Sequence, residues 1–440
     1  MAEGPPTHDP AFRRRRGSNW FALGLTYATF YMGRYNLGVA QKAMSDEFGW
    51  SKADIGWILT AGFAVYAVST VVNGPLSDRF GGRRVLLWGT AGAALCNGLF
   101  GLGALFGAGA RAWLLGYFIA VFAINNYFQS FGACSIVKIN AAWFHVKERG
   151  VFGGIFGAMI QGGRFLILSL GGLIVAFLPW RWVFFIPAAA LVGIYFVARR
   201  NVADSPEAAG LSPFDTGDAS GRMEGPVPFS YILKKVFTNP VMLTMALTSF
   251  CIGFSRQGLD QWMARYFFEV HHLTGKSGLY QFVSAGAPLF GIAGGLAAGA
   301  LSDRVFSARR PPVIFVFFIG QIIFFLLLGR ATTASGAVAA ILGASLCING
   351  CHSLLAGVAS MDFGGKHAAA SAAGFFDGCQ YLAGAVAGHW MGLLLDRHGW
   401  GSWGYSLAPM AAVGAVLMAV LWNAKPGQRA PAVDTAALAA

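Results

Sequence analysis

Three arginines stand inside apolar stretches of this chain: Arg34 in "YMGRYNLGVA" (31–40), Arg164 in the stretch 150–177, and Arg256 in "SRQGLDQW" (255–262). A guanidinium at mid-membrane costs about 2.5–3.5 kcal/mol even on a lenient insertion scale, so each needs a partner or a water-filled cavity. A cavity holding that much positive charge attracts an anion. Guanidinium forks match phosphate oxygens two at a time, and forks from opposite walls can grip one tetrahedral group. Arg34 has no acid three or four residues away. Arg256 has Asp260 one turn further along, the spacing of an intrahelical ion pair, and Arg164 could pair with Asp377 instead. Asp377, Asp260 and Lys138 are the remaining charges that could balance or couple such a site. Lys138, within two turns of its helix end, fits snorkelling or a gate contact better than ligand binding. Asn125, Asn126, Gln129, Gln161, Asn349 and His352, on other apolar segments, are placed to wet the cavity or to bond between helices.

Those residues need helices that hold them at mid-membrane, and the composition supplies them. Of 440 residues 56% are hydrophobic and 12% charged, with a mean hydropathy of +0.56. A soluble domain carries roughly 25% charged residues. The net charge of +13 does not point to nucleic acid, because the bases lie between apolar segments and not on a soluble face. The six cysteines all fall in apolar stretches without metal-like spacing, so no metal and no cofactor is expected. "GLGALFG" at 101–107 lies within an apolar helix and follows no strand, so it is not a dinucleotide loop. Nothing suggests an enzyme.

The expectation is an all-α membrane protein of twelve transmembrane helices in two pseudo-symmetric six-helix bundles, each span near the roughly 20 residues that cross the hydrocarbon. A basic tail (1–18) precedes the first bundle (19–199), a Pro, Gly and Asp-rich linker (200–238) the second (239–423), and a tail (424–440) ends the chain. The first apolar segment, after "RRRR" at 13–16, is long enough to be an uncleaved helix. With the N-terminus inside, 20 Lys or Arg fall on the cytoplasmic side and eight on the other, which puts both termini and the linker in the cytoplasm.

The halves echo each other. "GPLSDRFGGRRVLL" (74–87) and "GALSDRVFSARR" (299–310) lie 225 residues apart, and Arg34 and Arg256 precede the aspartates of these loops, Asp78 and Asp303, by 44 and 47 residues. A two-fold repeat with a central site between its halves produces that arrangement. In the loops, Asp78, Arg79, Arg83, Arg84, Asp303 and Arg304 read as helix caps and a cytoplasmic gate latch.

This doubled loop with six-plus-six helices resembles the major facilitator superfamily. Within it, "GRYN", "WFHVKERG" (143–150), "SPEAAGL" (205–211), "SRQGLDQW" and "SAAGFFDGCQYLAGA" (371–385) resemble the organophosphate:phosphate antiporter family of glycerol-3-phosphate and hexose-phosphate exchangers. The resemblance implies that Arg34 and Arg256 bind a substrate phosphate and that Tyr66 and Tyr381 line the site. The chain departs from the pattern in two places. Thr70 stands where the family's best-known sugar-phosphate carriers have a lysine, and their histidine falls near Ile160 or Gln161, with Arg164 nearby in its place. The expected protein is a monomeric inner-membrane exchanger of a small organic phosphate for inorganic phosphate. A proton-coupled carboxylate symporter with Asp377 as proton carrier is the alternative, and a transporter-like sensor of sugar phosphate a third reading.

Overall fold

The computed structural model describes residues 9–106, 111–145, 148–216, 240–307, 309–355 and 360–423, and the regular elements among them are all helices, without strands. In the first half, α1 (Pro10–Phe48) starts on a proline whose missing N–H has no helical partner to lose, and stops at Gly49, whose φ of 66° suits a residue without Cβ. Ser51 and Asp54 then form a reciprocal capping box that starts α2 (Lys52–Phe80). After it come α3 (Gly82–Leu102), α4 (Arg111–Trp143), α5 (Arg149–Phe177) and α6 (Trp182–Asn201). The second half comprises α7 (Pro240–Asp260), α8 (Met263–Val270), α9 (Gly278–Arg304), α10 (Arg310–Arg330), α11 (Ala334–Ser353), α12 (Ser360–His398) and α13 (Ser402–Val420).

Among the described residues eight helices, α2, α3, α5, α6, α9, α10, α11 and α13, are long and apolar enough to cross a membrane. Among the others, α1, α4, α7 and α12 are as long or longer but carry Arg34, Gln129, Arg256 and Asp377. Their polar residues face the interior, which lowers their hydropathy without exposing charge to lipid.

Within the first half α1 packs on α5 and α6, α2 on α4, and α3 on α4 and α6; within the second, α9 packs on α11, α10 on α11 and α13, and α7 on α12 and α13. The halves meet along α2 with α12, the most extensive helix pair among the described residues, and along α5 with α9. Glycines permit this approach. A Cβ on Gly56 of α2 would lie 2.6 Å from the Gly388 carbonyl of α12.

The end of the molecule that carries Lys52 is closed between the halves. Lys52 Nζ lies 3.3 Å from Glu269, Gln41 donates to the Gln261 carbonyl at 2.9 Å, and Tyr280 to that of Leu168 at 3.1 Å. Thr60 and His389 add bonds between α2 and α12.

At the opposite end a second, smaller core forms around Phe12, Trp143, Phe144, Val202 and Ala203, with Leu211 and Phe214 packed against it. The first part of the expected linker therefore folds back onto the first half. Asp204 accepts the backbone N–H of Arg83 at 2.7 Å, at the start of α3, and the Ala203 carbonyl accepts Trp143 Nε1 at 2.9 Å. Arg83 bonds the Arg199 carbonyl at 2.6 Å, Arg79 and Arg84 are exposed, and Asp303 pairs with Arg310 at 3.0 Å. Arg304 is exposed at the end of α9. The Asp78 side chain lies outside the described residues.

Candidate anion-binding site between the halves

Arg34 is fully buried on α1. Its Nε donates to Gln129 on α4 at 3.0 Å, and its Nη1 to the Tyr381 hydroxyl on α12 at 2.6 Å. A chain of amides holds Gln129: Asn36 donates to Asn97 at 2.7 Å, Asn97 to Asn125 at 3.1 Å, and Gln129 to the same Asn125 oxygen at 3.3 Å. This explains the asparagine of "GRYN", two residues from the arginine it helps to fix. The guanidinium carbon lies 4.4 Å from the Tyr66 ring centre and 4.8 Å from that of Tyr31. Aromatic faces attract a cation without neutralising it. Among the described residues no carboxylate bonds Arg34, and its Nη2 has no partner.

Arg256, on α7 of the other half, does not pair with Asp260. Its Nη1 lies 3.5 Å from His352 Nε2, and His352 Nδ1 lies 3.0 Å from Gln380 Oε1. Both contacts are satisfied by the neutral histidine with its proton on Nδ1. Arg256 Nε and Nη2 are buried without partners. Its guanidinium carbon is 5.7 Å from the Tyr381 ring centre, and that of Arg34 is 5.6 Å from the same ring. Two arginines from opposite halves thus flank one tyrosine.

Asp260 instead takes Arg164. Arg164 Nη2 donates to Asp260 Oδ1 at 2.6 Å across the interface between α5 and α7. Both alternatives offered by sequence, Arg256 with Asp260 and Arg164 with Asp377, are corrected by this pair. Asp260 is the last residue of α7, where the helix breaks, and its carboxylate turns to α5 instead of back along its own helix. Arg164 Nη1 also donates to Gln161 at 3.0 Å, and Gln161 donates to Asn349 on α11 at 3.1 Å. Asp377 is half-buried on α12 and has no hydrogen-bond or ion-pair partner among the described residues. Lys138 lies away from this group, donating to the Ser77 carbonyl near the end of α2 at 2.8 Å.

Sequence reasoning passed over five contributors. Tyr31 and Tyr35 follow Tyr27 at helical spacing, and their rings stack 5.8 Å apart. The four-residue spacing was the available signal. Gln380 was hidden beside Tyr381, and the acids of the Lys52 end, Glu269 and Asp396, carry no motif.

Residues 23–388 match the Major Facilitator Superfamily, a family of transporters, and the chain belongs to it. It is a multi-pass inner-membrane protein. Among its relatives, the probable hexose phosphate transport protein of Chlamydia muridarum is 26% identical over 455 residues, covering 96% of each chain. The glycerol-3-phosphate transporter of Bacillus subtilis is 28% identical over 442 residues, 96% of this chain and 95% of that one. The membrane sensor protein UhpC of Salmonella typhimurium is 26% identical over 431 residues, 95% and 94% of the two chains. These relatives agree with the organophosphate:phosphate antiporter resemblance carried by the motifs. A solved bacterial homologue of the human lysosomal transporter Spinster, inward-facing and occupied, shares the fold with a TM-score of 0.72 at 14% identity, over 97% of this chain and 100% of that one.

Proposed function

We propose that this protein exchanges an organic phosphate ester for inorganic phosphate by alternating access, with Arg34 and Arg256 as the two halves of a phosphate clamp. One observation carries the proposal. The two guanidiniums come from corresponding helices of opposite halves, flank one tyrosine ring, and keep buried N–H groups without partners. A tetrahedral dianion supplies what they lack. The relatives named for hexose phosphate and glycerol 3-phosphate support a phosphate ester as the substrate class. Closing both ends around an empty clamp would bury uncompensated positive charge, so reorientation requires a bound anion, and exchange is obligatory. With the positive-inside orientation, the closed Lys52 end is the outer one.

The second reading is proton-coupled symport of an organic anion, favoured by the unpartnered Asp377 carboxylate. Uptake of labelled phosphate into proteoliposomes distinguishes the two. The exchanger requires internal phosphate and no pH gradient. Strong uptake into unloaded vesicles, driven by an inward acid gradient and uncoupled by Asp377→Asn, is the symporter's signature and overturns exchange. A sensor, the role named for one relative, would bind phosphate ester and show neither flux.

A further inference from the structure

The exchanger reading leaves the organic end of the ester undefined, and resting on that reading we propose that Asp260 and Arg164 form a hydroxyl subsite that selects polyol phosphates and rejects esters with a second negative group. Three buried arginines between the halves would by themselves favour a substrate with two anionic ends. The third, however, is already matched. Arg164 meets Asp260 through one nitrogen and one oxygen, at 2.6 Å, and not through a two-pronged fork.

That geometry leaves Arg164 Nε and Asp260 Oδ2 buried and without partners, one a donor and the other an acceptor. The neighbouring amides do not fill them, since Gln161 is committed to Arg164 and Asn349, and Asn349 donates to the Ser345 carbonyl at 2.8 Å. A hydroxyl both accepts and donates, so it is the one neutral group whose chemistry suits both atoms. A carboxylate or second phosphate would satisfy Nε but set a like charge against Oδ2, and a methyl group would leave both unanswered.

A line of aromatic contacts joins the clamp to this pair. Arg34 stands over Tyr31, the Tyr31 ring stacks on Tyr35, and the Arg164 guanidinium carbon lies 5.3 Å from the Tyr35 ring centre. Arg164 and Asp260 belong to opposite halves, so the covered atoms become reachable when the halves part. At that moment a substrate hydroxyl replaces the contact that each charge gives up, whereas a second anion leaves Asp260 uncompensated.

The test uses glycerol 3-phosphate and 3-phosphoglycerate, which differ at one carbon, CH2OH against carboxylate. Binding is read as thermal stabilisation of the purified protein, and transport as inhibition of phosphate self-exchange in proteoliposomes. Glycerol 3-phosphate should act at a concentration about tenfold or more lower, a like-charge penalty of ordinary size. Asp260→Asn should bring the two within about threefold, mainly by improving 3-phosphoglycerate. Should that variant not insert, the charge-neutral pair Arg164→Gln with Asp260→Asn replaces it and should also lose the discrimination. Equal action of both ligands on the wild type overturns the subsite, as does a ratio unchanged in either variant. Discrimination in binding without self-exchange upholds the subsite and overturns the exchanger; self-exchange without discrimination does the reverse.

Discussion

Asp396, near the end of α12, accepts hydrogen bonds from the backbone N–H groups of Lys52 and Ala53, the first two residues of α2, at 3.1 and 2.8 Å. A carboxylate from one half thus caps a helix of the other, where unsatisfied N–H groups and the helix dipole both favour negative charge. Lys52 Nζ reaches the same carboxylate at 3.8 Å and Glu269 at 3.3 Å. Parting the halves at this end breaks the cap. Asp396→Ala should therefore shift the equilibrium away from the closed state by about 1 kcal/mol, roughly fivefold. Ala64 is half-buried on α2, one turn beyond Thr60, which bonds α12, and labelling of Ala64→Cys by an impermeant maleimide added to the Lys52 side should speed up accordingly. An unchanged rate would remove Asp396 from the latch.

The latch has a predictable response to acid. Burial pushes the Glu269 carboxyl upward, but Arg265 at 2.6 Å, the Trp400 Nε1 donor at 2.7 Å and Lys52 together outweigh it and hold it below its ordinary value. A depressed carboxyl contributes stability above its ordinary pKa and loses it as the pH falls through the depressed one. Maleimide labelling should therefore be flat from about pH 8 to about pH 5 and rise only in stronger acid. Glu269→Gln should label faster across the whole range with this acid step reduced. A step near neutrality would assign the response to another group.

Gly56 sets how closely α2 and α12 can approach. A Cβ at position 56 would lie only 2.6 Å from the Gly388 carbonyl oxygen, so Gly56→Val must push the backbones apart. Overpacking of this kind costs about 1–3 kcal/mol, here charged to the closed state alone. Exchange should fall while the folded yield holds, and Ala64→Cys labelling should rise. Normal exchange by Gly56→Val would show that the helices do not close this tightly during the cycle.

The Arg164 to Asp260 pair should behave as a coupled unit. Neutralising one partner leaves a buried charge alone, a loss of about 3–5 kcal/mol, whereas neutralising both removes the charges together. Arg164→Gln should lower thermal stability markedly, and adding Asp260→Asn should restore most of it. Additive losses in this double-mutant cycle would mean that the two side chains act independently.

The helices and the three interior arginines were legible because charge inside a membrane-length apolar segment has few readings. Arg34 and Arg256 could be matched from their distances to the doubled loop. Partner choice was not legible. Asp260 sits one turn from Arg256, and helical spacing favours that pair, but the end of α7 directs the carboxylate to α5, a tertiary fact without a local signal. The linker's Pro, Gly and Asp content marked a boundary between the halves but carried no sign that Leu211 and Phe214 pack into the core around Phe12 and Trp143. The closed end was invisible because Lys52, Glu269 and Asp396 are single charges at helix ends, far apart in sequence.

The clamp itself is tested most directly by phosphate self-exchange in proteoliposomes carrying Arg34→Lys or Arg256→Lys. Lysine keeps the positive charge but gives up the planar fork that holds two phosphate oxygens at once. Each variant should insert and keep its thermal stability in the absence of ligand, yet lose exchange by about a hundredfold, equivalent to roughly 2.7 kcal/mol. Exchange within about threefold of the wild type in either variant would contradict the clamp and leave that arginine a structural cation among tyrosines.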